Sequence, residues 1–273
     1  MDFERWDEAG DVSSDCFVNI EEPHQHINQE QARFRKLVSL ISSELEQCIH
    51  QFSQSQTHNI KTDIMEVFCS SDSQITHQCQ QLGFRGNRFD ISRGDLHTSC
   101  GRRKLFEDLL LTQPRHVWFA PTCGPWSNWS NLNGMKSLEA WDKLHEVRLD
   151  HLIQIALGVV LLRYQRSLER HLHWEQPRSS MMFKLPYLAE IHHYMVMADF
   201  EMCQAGNLCD PISGKPIKKP LSVLTTSPSL QALLSTYRCP GTHEHQVLEG
   251  TILWQGKRLN RTAYSEKYPR KFA

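Results

Sequence analysis

A chain of 273 residues has length for one large α/β domain or two small ones, and its 40% hydrophobic content excludes a disordered composition. The net charge of −1 hides an asymmetry: residues 1–22 hold eight acidic residues against one Arg, whereas residues 211–273 hold ten Lys and Arg against three Glu. No apolar run reaches transmembrane length, no signal peptide is visible, and nine scattered cysteines lack the spacing of a disulfide framework, which together predict reduced, intracellular thiols.

Residues 1–26 are acidic, lack periodicity and are expected to be mobile. Residues 28–52 then carry Phe34, Leu37, Val38, Ile41, Leu45, Ile49 and Phe52 at helical spacing, predicting a helix that docks on the main domain or offers its stripe to a partner. The Ser/Gln-rich run from Gln51 to His58 reads as a linker, dividing a segment 1–59 from a domain 60–273.

Asp63–Cys69 is the first predicted strand, broken by Ser70, Ser71, Asp72 and Ser73 before a helix through Ile75, Cys79 and Leu82. A strand, a tight polar loop and a helix N-terminus expose unpaired amides and predict a cradle for an anion or cofactor. Gly83–Ile91 is expected as a second strand ending in Asp90, where a carboxylate can accept from ribose hydroxyls; Asp95 follows on the next loop. Each Asp also suits an ordinary turn or cap.

A helix over 101–112 leads into His116-Val117-Trp118-Phe119, an apolar run suited to a strand buried on both faces of a parallel sheet. It runs into Pro121-Thr122-Cys123-Gly124-Pro125-Trp126-Ser127. Open α/β sheets bind ligands beyond the carboxyl ends of such strands, so Cys123 stands where chemistry is done; the other reading is a buried thiol on a tight turn. Trp126, Trp129 and Trp141 follow, suited to stacking on a base or to core packing. Leu144–Leu168 is predicted as a long helix, and His171–Pro177 as a short strand ending in Glu175-Gln176-Pro177, with Glu175 a candidate acid or a surface carboxylate. A helix over Pro186–Met197, strands over Asp199–Cys209 and Leu221–Thr226, and a short helix over Ser227–Leu234 complete the pattern. Cys203, Cys209, Cys239, His243 and His245 are zinc-ligand types, yet their spacing matches no zinc finger; His243 or His245 contacting a phosphate is the other reading, and no metal is expected.

The order of these pieces resembles the C5-cytosine DNA methyltransferase family. Glu66-Val67-Phe68-Cys69-Ser70-Ser71-Asp72-Ser73 stands where that family has its cofactor loop, Pro121–Ser127 where it has Pro-Pro-Cys-Gln-x-Phe-Ser, and Glu175-Gln176-Pro177 where it has Glu-Asn-Val. More closely, the chain is similar to divergent methyltransferase-like domains of phages and mobile-element polyproteins, through Asp90-x-x-x-Gly94-Asp95, Lys219-Pro220, Cys239–His245 and Tyr268-Pro269. The resemblance covers about residues 62–273 and implies a Rossmann-like sheet with helices on both faces that uses S-adenosylmethionine. It implies that Cys123 attacks C6 of cytosine while Glu175 protonates N3, and that Phe68, Ser70, Ser71, Asp90, Asp95 and Pro121 line the cofactor pocket. DNA is the implied partner, with RNA also open, in the nucleus of a eukaryotic host; Ser127 and the basic run of Lys215, Lys218 and Lys219 would meet it. The chain departs from the family in lacking Phe-x-Gly-x-Gly, in Thr122, Gly124 and Gln176, and in room for a target recognition domain. A catalytically silent nucleic-acid-binding domain is the alternative, and a protein-interaction module built on the 28–52 helix a second.

Overall fold

The computed structural model describes residues 23–52 and 60–273, with side chains from Asn28 onward; the acidic segment before Pro23 and the linker at 53–59 lie outside the described residues. The chain opens with α1 (Pro23–Phe52), β1 (Thr62–Val67), α2 (Gln74–Gln81), β2 (Gly86–Phe89), α3 (Ser99–Thr112) and β3 (Pro114–Phe119). It continues through α4 (Asn128–Gly134), α5 (Leu138–Ser167), β4 (His171–Pro177), β5 (Val196–Glu201), α6 (Met202–Ala205) and β6 (Pro220–Thr225). It closes with α7 (Pro228–Ser235), a hairpin of β7 (Thr251–Trp254) and β8 (Lys257–Asn260), and α8 (Arg261–Tyr264).

Six strands form one mixed sheet in the order β2-β1-β3-β4-β6-β5. The first four are parallel, and β6 runs antiparallel between β4 and β5. The α/β class is therefore as expected, with a six-stranded, mostly parallel sheet flanked by helices. The chain lays β2 on one side of β1 and then crosses to lay β3 on the other, which opens a crevice beyond the carboxyl ends of β1 and β3.

The period-two alternation of strand side chains separates two cores. Met65, Val67, Val117, Phe119, Leu172 and Trp174 face one side, where they meet α3, α5 and α1. Ile64, Trp118, Phe200 and Val223 face the other, under α2, α7 and the C-terminal residues Tyr268 and Phe272. Helix α5 lies close on β3 and β4 because residue 158 is Gly: a Cβ there would stand 2.7 Å from both Phe119 and Trp174.

Helix α1 begins at Pro23, earlier than periodicity predicts, and its stripe Phe34, Val38, Ile41 and Leu45 is buried in the same core as α3 and α5. Arg102 of α3, itself buried, makes a two-pronged ion pair with Glu44 at 2.7 and 2.8 Å, and His145 of α5 meets Glu30 at 3.1 Å. The docking reading holds, and the partner-helix reading loses its surface because that apolar face is already covered.

Late in the chain two expected boundaries shift. Pro186–His193 is a 3-10 helix rather than part of an α-helix running to Met197. Strand β5 starts at Val196 and stops at Glu201, where α6 turns the chain aside. Ala198 and Phe200 are fully buried beside the more open Met197 and Asp199, the two-residue period of a strand with one covered face. The expected second strand, Gly83–Ile91, is confined to Gly86–Phe89, with Gly83 at positive φ ending the turn of α2.

Candidate active site at the carboxyl ends of the strands

The loop after β3 is fastened on both sides of its cysteine. Gln154 of α5 accepts from the Thr122 amide at 3.0 Å, and Gln176 of β4 donates to the Pro121 carbonyl at 2.9 Å. Pro121 is thus a buried anchor of the loop. Cys123 itself adopts αR geometry and heads a single 3-10 turn, Gly124–Trp126, leaving its thiol half-buried.

Glu175 lies one strand over, near the carboxyl end of β4, on the same sheet face as Trp118 and His173. Burial pushes its carboxyl above the usual glutamate range, while the Lys219 ammonium and a hydrogen bond from the Tyr268 hydroxyl act the other way. Tyr268 also accepts from the Trp118 indole at 3.2 Å, so the C-terminal Tyr268-Pro269 segment seals this face of the sheet. Cys123 is raised by burial first and by the charge of Glu175 second; Lys219 opposes both.

Lys219 is the main departure from the sequence expectation. Reading it as one of three DNA-facing lysines assumed an exposed run, whereas antiparallel β6 begins beside the end of β4 and carries its side chain to Glu175 and Cys123. Its ammonium donates to the Ser265 carbonyl, and its backbone takes a φ of 31°. Burial lowers its pKa, against the pull of Glu175, Cys123 and Glu266. Lys215 is exposed but paired with Glu244 at 2.6 Å, and the half-buried Lys218 uses its carbonyl to hold Met202. Ser127 caps α4, accepting from the Ser130 amide at 3.1 Å. Trp126 is packed inside with the Arg148 guanidinium over its ring at 5.2 Å, which settles its role as core packing, whereas Trp129 is exposed.

The crevice between β1 and β3 receives Phe68, held at φ 63° against Phe119, followed by the exposed Ser70 and Ser71. The expected cradle of free amides is partly filled from within: buried Glu66 accepts from the Thr76 amide at 2.8 Å and from Ser73 Oγ at 2.5 Å. A carboxylate in that position leaves no room for a phosphate at the helix end, whose partial positive charge it already satisfies. Asp90 is buried directly after β2, with one oxygen taken by the Ser92 amide at 2.9 Å and the other 3.6 Å from Arg88. The thiol of Cys69 is pushed up to about 12 by burial and then by the charges of Glu66 and Asp90, which border it. Asp95 stays exposed and closes a local turn through the His97 amide at 3.0 Å, so its carboxylate is not drawn into the group around Cys69. The donor set at this crevice is acidic, suited to a ligand carrying positive charge and opposed to a dinucleotide pyrophosphate.

Sequence reasoning passed over Gln154, Glu66 and the placement of Tyr268 and Lys219. Only the Lys-Pro and Tyr-Pro pairs offered a signal, because the Gln154 and Tyr268 contacts span 32 and 150 residues of chain and that of Glu66 with Thr76 depends on the turn into α2. A cavity of about 500 Å³ opens lower on the face of α2 and α7, lined by His116, Trp118, His173, Tyr237 and Phe272; neither Cys123 nor Glu175 lines it. Among the described residues no helix is long and apolar enough to cross a membrane. No protein-family model matches the chain, and neither a curated protein nor a solved structure matches it.

Proposed function

We propose that this protein is an S-adenosylmethionine-dependent C5-cytosine methyltransferase acting on DNA, on a Rossmann-like methyltransferase sheet. The observation that supports the reading is that Cys123, on the loop after β3, lies within reach of the charge of Glu175 on the adjacent parallel strand β4, and that the Lys219 ammonium acts on both. A protonated Glu175, favoured by its burial, has the form needed to donate to N3 of a cytosine turned out of its stack. Protonation also removes the negative charge that opposes the Cys123 thiolate, leaving the Lys219 ammonium as its neighbour. The thiolate then adds to C6, which turns C5 into a nucleophile. Once C5 carries the methyl group, its proton passes to water, the thiolate departs from C6 and N3 returns its proton to Glu175, which restores the aromatic ring. When bound, S-adenosylmethionine supplies the methyl group. Phe68, Ser70, Ser71 and Asp90 at the acidic crevice would hold it, and the positive charge of its sulfonium suits Glu66 and Asp90 there. The loop that carries the reactive thiol is held in place by Gln176 on the Pro121 carbonyl and Gln154 on the Thr122 amide.

One observation favours the silent nucleic-acid-binding reading instead: Glu66, Asp90 and Asp95 each spend an oxygen on the protein's own backbone. Trapping separates the two. A DNA probe carrying 5-fluorocytosine should form a covalent adduct with wild-type protein only when S-adenosylmethionine is present, because fluorine blocks release of the Cys–C6 bond. The adduct should vanish in Cys123→Ser and fall in Glu175→Gln. Binding of both cofactor and DNA without an adduct across varied probe sequences would leave the silent domain as the function.

A further inference from the structure

Two segments far apart in sequence bring four metal-type ligands to one point. Cys203 sits on α6, and Cys239, His243 and His245 lie on the loop after α7. Their ligand atoms all fall within 4.8 Å of one another. Cys239 Sγ is 3.8 Å from His243 Nε2 and 3.4 Å from His245 Nε2. A tetrahedral zinc bound at about 2.3 Å by sulfur and about 2.05 Å by nitrogen would set each sulfur–nitrogen edge at roughly 3.6 Å. The two observed edges bracket that value, so a cation fits without rebuilding the site.

We propose that Cys203, Cys239, His243 and His245 bind a structural zinc ion. Two thiols with two imidazoles, all four positions closed by protein, is the donor set that zinc takes in structural sites and that magnesium or calcium does not. The surroundings are built for a thiolate. Gly241, at φ 72°, turns its amide back onto Cys239 Sγ at 3.4 Å, and a residue with a Cβ would be strained there. The Cys239 amide is held by Glu201 at 2.8 Å, and Glu201 is held in turn by Arg178 at 2.7 Å. These outer contacts orient the ligand before the ion arrives. The loop also needs such a clasp, since residues 237–250 form neither helix nor strand, and Thr242, Glu244 and Val247 within it are exposed. The ion would tie this loop to α6, whose first amide, that of Met202, binds the Lys218 carbonyl beside the candidate active site. Cys209, also of ligand type, stands outside the group.

Metal analysis of the full chain, purified without chelator and reloaded with zinc, should give one zinc per chain. Cobalt exchanged into it should show the visible bands of a tetrahedral ion with thiolate charge transfer. The His243→Ala/His245→Ala variant should retain at least about tenfold less metal at the same free zinc, while Cys209→Ala keeps the full equivalent. Because the histidine variant can fail to fold, chelation of the wild type is a second measurement: EDTA should lower its Tm, and added zinc should restore it. Wild type that holds no zinc after reloading overturns the proposal. So do a Cys203–Cys239 disulfide in freshly purified protein, an unchanged content in the histidine variant, and a Tm indifferent to EDTA.

Discussion

Gln176 donates its side-chain amide to the Pro121 carbonyl at 2.9 Å while its own oxygen accepts from Ser180, and Gln176 itself is fully buried. The strand that carries Glu175 thereby fixes the loop that carries Cys123. Gln176→Leu would leave a buried carbonyl and a buried hydroxyl without this partner, at about 1–3 kcal/mol. Urea unfolding should register that loss, and Gln176→Glu should recover less than half of it, since a carboxylate cannot donate to Pro121. A Leu variant as stable as wild type would mean that the loop is held elsewhere.

The charges around Cys123 predict opposite effects from its two neighbours. Glu175 opposes the thiolate and Lys219 favours it. Alkylation of Cys123 by iodoacetamide, followed peptide by peptide across pH, should shift its midpoint down in Glu175→Gln and up in Lys219→Met. Parallel shifts in both variants would refute the electrostatic assignment.

Three histidines stack across β3 and β4, and one of them, His173, is tied to Thr225. His116 Nδ1 lies 3.0 Å from His173 Nε2, and His173 Nδ1 lies 2.7 Å from Thr225 Oγ1. Burial, and then the neighbouring imidazoles, bring His116 down to about 4 and His173 to about 3. Unfolded imidazoles take up protons near their ordinary value of 6.5. Below that pH the unfolded chain binds more protons than the folded one, so stability present above 6.5 is lost as pH falls toward 4. Between pH 6.5 and 5 the loss should be about 2–4 kcal/mol, given about 1.4 kcal/mol per unit per group. A His116→Gln/His173→Gln double variant should flatten the curve in that window; the same slope in both proteins would assign it to other groups.

Gly158→Ala sets two effects against each other. Alanine favours a helix interior by about 1 kcal/mol over glycine. Its methyl would stand 2.7 Å from the rings of Phe119 and Trp174, neither of which can retreat from a packed core. Overpacking of about 1–3 kcal/mol should win, lowering the urea midpoint. A stabilised Ala variant would show that α5 can lift from the sheet.

The sequence alone determined the elements whose signal is local. Helix α1 could be read from its apolar stripe, β3 from an unbroken apolar run, and the place of Cys123 and Glu175 from their position at strand ends. Periodicity works there because burial of one face needs only the residues of that element. What lay beyond it was decided by pairing. Lys219 reads as one of a row of basic side chains, and only the antiparallel insertion of β6 beside β4 carries its ammonium to Glu175. Glu66 reads as one residue of a strand, and only the turn into α2 closes it on Thr76. Cys203 and Cys239 are 36 residues apart with no finger spacing, and the meeting of α6 with the loop after α7 makes them neighbours of His243 and His245. Side-chain chemistry is written in the sequence, but which charges share a low-dielectric space depends on chain crossings that no local pattern encodes.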